Sequence, residues 1–151
     1  MKLSIEQVRE LFDYEPSTGF LRRNYNRCGI VVATGIRVMG YWYAVADICW
    51  AHYYGKWPDK ILDHIDRDRY NTEINNLREA TTQQNGYNQV RFNPHGMKGI
   101  TYDETRSKPW RAQIRIKGVK TNLGRFYTKD EAYAAYCKAA TEHHAEFALY
   151  D

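Results

Sequence analysis

What this chain has little of narrows its class. Its 151 residues include only three cysteines, Cys28, Cys49 and Cys137, scattered and without a Cys-x-x-Cys pair. Such an odd, dispersed set supports neither a disulfide framework nor a structural zinc site, and reads as buried or incidental thiols in a reducing compartment. No apolar run approaches the length that crosses a bilayer. The opening residues, MKLSIEQVRELF, are too polar for a secretory leader. The expectation is a soluble cytoplasmic protein with no membrane partner. Acidic residues are missing from one long stretch. Between Thr105 and Lys129 stand Arg106, Lys108, Arg111, Arg115, Lys117, Lys120, Arg125 and Lys129, with no Asp or Glu.

The segment that follows reverses the sign, with Asp130, Glu131, Glu142 and Glu146 against the single base Lys138. Opposite charges therefore segregate onto two elements of one small unit. This favours a nucleic-acid face more than the modest net charge of +4 does. Thirteen tyrosines raise the aromatic fraction to 15%, which suits polar surfaces and wet interfaces as well as small cores. The length allows one ordinary domain or two small ones.

Local patterns favour two. Ser4 with Gln7 forms a capping box, and Ile5, Val8 and Phe12 repeat at helical spacing, so a short helix should end near Tyr14, before Pro16 and Gly19. Extended segments follow at Phe20-Leu21-Arg22, near 30–32 and over 36–43. A helix over 45–54 should stop at Gly55. Leu62 leads a strand that ends at Asp63-His64, Asn76-Leu77-Arg78 reads as a second short strand, and Thr81 or Thr82 caps a helix reaching about Asn88. Residues 86–96 have little apolar periodicity and read as a linker. Beyond it Lys98–Tyr102 can form a strand. Trp110, Ala112, Ile114 and Ile116 alternate with Arg111, Gln113, Arg115 and Lys117. Lys117-Gly118 makes a turn, and Val119–Tyr127 forms a third strand that Gly124 allows to bulge. Thr128 and Glu131 form another capping box, ahead of a helix with Tyr133, Tyr136, Ala140 and Phe147 on one stripe.

The β-loop-β-helix stretch carries residues suited to phosphodiester hydrolysis. That reaction needs a nucleophile, neutralisation of phosphate charge and help for the departing oxygen, and a hard divalent cation can supply the last two. Asp63 and Asn85 offer oxygens that suit Mg²⁺ or Mn²⁺ better than zinc. His64 can take a proton from water near neutral pH, and strand alternation points it away from Asp63.

The run LDHIDRDRYNTEINNLREATTQQN resembles the active centre of HNH endonucleases: an Asp-His pair, an Asn about a dozen residues on, an Asn-Leu-Arg tripeptide, and a His or Asn on the next helix. The resemblance implies Asp63 and Asn85 as metal ligands, His64 as general base, Asn76 as the residue orienting the imidazole, and Arg78 as a phosphate contact. Asn at the last position is as in a phage homing branch and fits a hard cation. Phe12–Gly19 and Trp50 with Gly55-Lys56-Trp57-Pro58 also resemble phage HNH proteins. Relatives commonly carry His-Arg before that tryptophan, where this chain has Ala46-Asp47.

The alternating strand pairs an apolar face with a polar face that suits the major groove: Arg can pair with guanine, Gln with adenine, and Lys can neutralise phosphate. Lys98-Gly99-Ile100, Trp110–Arg115, Leu123-Gly124-Arg125-Phe126 and the Ala-rich helix resemble the plant-type APETALA/ethylene-response-factor DNA-binding domain. That resemblance implies duplex-DNA contacts at Lys98, Thr101, Gln113, Arg115, Lys120 and Asn122. Arg111, Lys117 and Arg125 join them as cations of the same sheet.

The expectation is an α+β protein: an HNH ββα-metal nuclease domain over 1–90, a linker over 91–97, and over 98–151 a three-stranded antiparallel sheet packed on one C-terminal helix. Its function would be site-preferring, Mg²⁺- or Mn²⁺-dependent cleavage of double-stranded DNA, of the phage homing type, by a monomer or by a dimer formed on DNA. The alternative is a DNA-binding regulator in which the HNH fold survives only as scaffold.

Overall fold

A computed structural model of the chain describes residues 2–24, 29–89 and 93–148. Cys28 and residues 91–92 of the expected linker lie outside them. The fold is mixed α+β, with small antiparallel sheets and four α-helices among the described residues. It divides into two compact units, Met1–Thr81 and Thr82–Asp151. This division falls at residue 81, earlier than the expected boundary at 90.

In the first unit, α1 (Ile5–Leu11) starts on the expected capping box: Ser4 Oγ accepts from Gln7 N, and Gln7 Oε1 accepts from Ser4 N. The helix ends earlier than its apolar spacing suggests. Phe12–Glu15 is strand β1, paired antiparallel with β2 (Phe20–Arg23). Phe12 and Tyr14 are buried and Asp13 and Glu15 exposed, so a period of two overrides the helical one once a partner strand is present. The 36–43 stretch is a hairpin, β3 (Gly35–Val38) and β4 (Tyr41–Ala44), turned by Met39 and Gly40 at φ 48° and 86°. Helix α2 (Val45–Tyr54) follows and stops at Gly55, whose φ of 68° makes the left-handed cap. Strands β5 (Ile61–His64) and β6 (Leu77–Ala80) then pair antiparallel. Val8, Phe12, Leu21, Ile48, Cys49 and Leu77 bring these elements into one core. Burial pushes the Cys49 thiol up to about 12, which leaves it unreactive.

The second unit begins with α3 (Thr82–Asn88) and contains the sheet β7 (Ile100–Tyr102), β8 (Trp110–Ile116) and β9 (Val119–Phe126), in that spatial order and antiparallel throughout. Helix α4 (Lys129–His144) starts on the Thr128–Glu131 capping box and packs Ala132, Tyr136 and Ala140 against Ile100, Ala112 and Ile114. Alanine on the helix and on mid-β8 lets the two layers approach closely. Between Ala112↔Gly124 and Gln113↔Asn122 the register shifts, leaving Leu123 as the extra residue of a bulge beside Gly124, whose φ is 128°.

Candidate functional site

The β5–β6 hairpin sets Asp63 directly opposite Arg78 and His64 opposite Leu77. Directly opposed residues share a face. The Asp63 carboxylate, 3% exposed, accordingly receives Arg78 Nε at 2.9 Å and Nη2 at 2.8 Å, both on Oδ2. His64, next along the strand, is half-buried. Burial lowers its pKa from the usual histidine value, against the opposing pull of Asp66, Asp63 and Asp68. The imidazole is therefore neutral at pH 7 and able to accept a proton.

The loop after His64 is braced by side chains. Asn76 Oδ1 accepts from Asp66 N at 3.0 Å, and its Nδ2 donates to Asp66 Oδ1 at 2.9 Å and to Asn71 O at 2.8 Å. Asn71 Nδ2 donates to Asp66 Oδ2 at 2.7 Å, and Ile65 N donates to Asn76 O at 2.9 Å. Partial burial pushes the Asp66 carboxyl up, but the bonds from Asn71, Asn76 and Asp68 N outweigh it and hold the pKa below the usual value. The Asn76 amide is thus spent on the loop rather than on the imidazole ring, and it acts on His64 through the backbone that follows it. Asp66 and Asn71 were not singled out from sequence, although their spacing in DRDRYN is that of successive Asx turns. The far side of the loop is fixed to the β1–β2 turn by Tyr14 Oη donating to Thr72 O at 2.6 Å, by Thr72 Oγ1 donating to Gly19 O at 2.6 Å, and by Ile74 N donating to Pro16 O. Gly19 is required there, since a Cβ would lie 2.5 Å from Glu73 N.

Asn85 lies on α3, half-buried. Among the described residues no three His, Cys, Asp or Glu side chains converge as a metal cluster. A cation held by Asp63 would complete its shell with amide, water and phosphate oxygens. That donor set suits a hard divalent ion.

Seven of the expected DNA-contacting residues, Thr101, Arg111, Gln113, Arg115, Lys120, Asn122 and Arg125, share one face of the second unit's sheet. Register sets Thr101 and Arg125 opposite Arg111, Asn122 opposite Gln113, and Lys120 opposite Arg115. Thr101, Arg115, Lys120 and Asn122 are exposed. Arg115 Nη1 donates to Gly118 O at 3.2 Å, and Asn122 Oδ1 accepts from Gly124 N at 3.3 Å. Arg125 is paired with Asp103 at 2.9 Å, while Arg111 Nε is buried without a hydrogen-bond partner. Lys117 is exposed but belongs to the β8–β9 turn, at φ 47°.

Two of these positions differ from expectation. Gln113 is only 8% exposed, because the segment leading into β7 runs on beside β8, with Gln113 N donating to Gly99 O at 2.8 Å. The Lys98 ammonium lies on the carbonyls of Tyr87 and Gln89, where it neutralises the C-terminal end of α3. The same helix stacks Tyr87 on His144, with centroids 3.6 Å apart and planes at 12°.

The HNH endonuclease family model matches residues 43–87, which run from β4 through Tyr87. An uncharacterized HNH endonuclease, L560, of Acanthamoeba polyphaga mimivirus is 32% identical over 96 residues, covering 62% of this chain and 49% of that protein. Protein 3.8 of Escherichia phage T7 is 30% identical over 93 residues, covering 59% of this chain and 74% of that protein. The chain therefore spans about half the length of the mimivirus relative and about three quarters of the phage one. No solved structure gives a significant match. With Asp63, His64 and Asn76 inside the matched segment, residues 43–87 carry an HNH endonuclease domain.

Proposed function

We propose that the protein is a divalent-metal-dependent endonuclease of the phage homing type, cutting double-stranded DNA at preferred sites. The observation that carries this reading is the end of β5: a buried, Arg-paired carboxylate at Asp63 followed by a half-buried, neutral imidazole at His64. Asp63 and Asn85 would hold Mg²⁺ or Mn²⁺, which when bound stabilises charge on the phosphate and on the leaving oxygen. His64 takes a proton from the attacking water. Asn76 keeps the loop behind His64 in place, through Asp66 and Asn71. Arg78, which already neutralises Asp63, is chemically suited to share its guanidinium with a substrate phosphate.

The second unit brings this chemistry to DNA through its sheet. Arg115 and Lys120 are like charges set directly opposite each other, an arrangement that costs stability in the free protein and is relieved by a polyanion. Arg111, Lys117 and Arg125 extend the positive surface, and Thr101 and Asn122 supply hydrogen bonds. Arg125, paired with Asp103, also holds the shape of that surface.

Incubation of supercoiled plasmid with the protein and Mg²⁺ or Mn²⁺ tests the assignment. Nicking that disappears with EDTA and with His64→Ala is expected. Cleavage unchanged in His64→Ala would overturn the assigned base, and DNA binding without cleavage in either metal would favour the regulator.

A further inference from the structure

Gln113 is more than nine-tenths buried, and among the described residues its carboxamide has no hydrogen-bond partner, its amide atoms keeping access only through the cavity that it lines. An amide so recessed and without a protein partner calls for an explanation. Gln113 lines a cavity of about 280 Å³, together with Asn93, Gly99, Thr101, Arg115 and Lys120. The Asn93 amide in that wall is spent already, on Met97 O, Ile100 O and His95 N. Gly99, at φ 78°, brings the wall close to β8, since a Cβ there would lie 2.5 Å from Gln113 O. The cavity is therefore a built feature whose one uncommitted amide belongs to Gln113, and exposed Arg115 and Lys120 stand at its rim.

A carboxamide offers one donor edge and one acceptor edge, which match a nucleobase. A side chain that reads bases in a duplex groove must project from the protein, and Gln113 does not. A base can reach a recessed amide only by leaving the stack. The volume, at the small end for ligand sites, suits a single base.

We propose that this cavity receives one extruded nucleobase of bound DNA, its edge hydrogen-bonded to Gln113 and its flanking phosphates held by Arg115 and Lys120. The inference rests on the sheet being the DNA-binding face. It makes Gln113 a specificity-determining residue that acts from inside a pocket rather than in the groove.

The test uses the full-length protein in EDTA, with two duplexes of one sequence. One is fully paired, and the other carries a single unpaired 2-aminopurine at its centre. Because the unpaired base no longer has to be pulled from a partner, the second duplex should bind about tenfold more tightly. Its 2-aminopurine emission should change on binding, in a readout that needs no variant. Gln113→Leu, similar in size and apolar, should lose more affinity for the unpaired duplex than for the paired one, reducing the preference to about twofold or less. Equal affinity for the two duplexes, or a preference kept intact in a folded Gln113→Leu, would overturn the proposal. The parent reading fails separately: if Arg115→Ala and Lys120→Ala leave paired-duplex affinity and its salt dependence unchanged, the sheet is not the DNA face.

Discussion

Arg78 lies directly across the β5–β6 hairpin from Asp63 and sets both Nε and Nη2 on the same carboxylate oxygen. With the acid 3% and the base 15% exposed, both charges lie largely out of water. Arg78→Met should therefore destabilise the protein by about 3–5 kcal/mol, the usual cost of breaking a buried ion pair from one side. Replacing both members, as Asp63→Leu with Arg78→Met, should recover much of that loss. Urea denaturation of the two single variants and the double variant gives the coupling. Losses that simply add would show that the pair is not coupled in solution.

Asn76→Ala removes three hydrogen bonds from the loop behind His64, two of them to Asp66. The expected loss is on the order of 3 kcal/mol, together with faster hydrogen exchange at the Asp66 amide. Asn76→Asp should not rescue it, although the shapes match. It would set a second carboxylate against Asp66 Oδ1, where Asn76 supplies a donor. Raising the pH from 4 to 7 should weaken that variant relative to the parent, and a flat difference would count against the assigned contact.

These two sites show how far the sequence could be read. The capping boxes at Ser4 and Thr128, the stop at Gly55 and the bulge beside Gly124 were legible because each depends on residues a few positions apart. Phe12 was ambiguous, since it fits both the stripe of α1 and the alternation of β1. Only pairing with Phe20–Arg23 decides it. Alternation along β8 assigned Gln113 and Arg115 the same fate. Whether another segment runs beside one of them is a long-range fact that alternation does not carry. Lys98 was counted as a surface cation for the same reason, before the C-terminal carbonyls of α3 were seen to claim its ammonium.

His144 should make the second unit acid-sensitive. Its Nε2 lies 2.9 Å from Arg115 O and, as the donor, fixes the neutral tautomer, while Nδ1 is buried without a hydrogen-bond partner, so a proton added there finds no acceptor. Burial, with smaller contributions from Lys98 and His143, lowers its pKa from the usual value of 6.5. Between that depressed value and the unfolded one, the unfolded chain binds more protons. Stability is complete above about pH 6.5 and falls as the pH drops below it. His144→Phe keeps a ring against Tyr87 and removes the titration, so it should flatten this part of the pH–stability profile. His52 and His64 also have lowered values and will contribute to the parent profile, so the difference between variant and parent is the quantity to measure. Parallel profiles would exclude His144 as a source.

Lys98 and Lys120 should separate cleanly in a DNA-binding experiment, because only one has its charge to spare. Lys120 is exposed and sits opposite Arg115, with no acidic residue in its own strand, whereas the Lys98 ammonium is held by two backbone carbonyls. Each phosphate neutralised by a protein cation releases condensed counterions, so losing one contact lowers the slope of log affinity against log salt by about one. Lys120→Ala should show that change, with little effect on thermal stability. Lys98→Ala should leave the slope nearly unchanged and instead lower stability, since the end of α3 loses its compensating charge. Titrations of one labelled duplex at several salt concentrations, paired with thermal melts, distinguish the two roles. A full unit of slope lost in Lys98→Ala with no change in melting would reverse the assignment, making Lys98 a DNA contact after all.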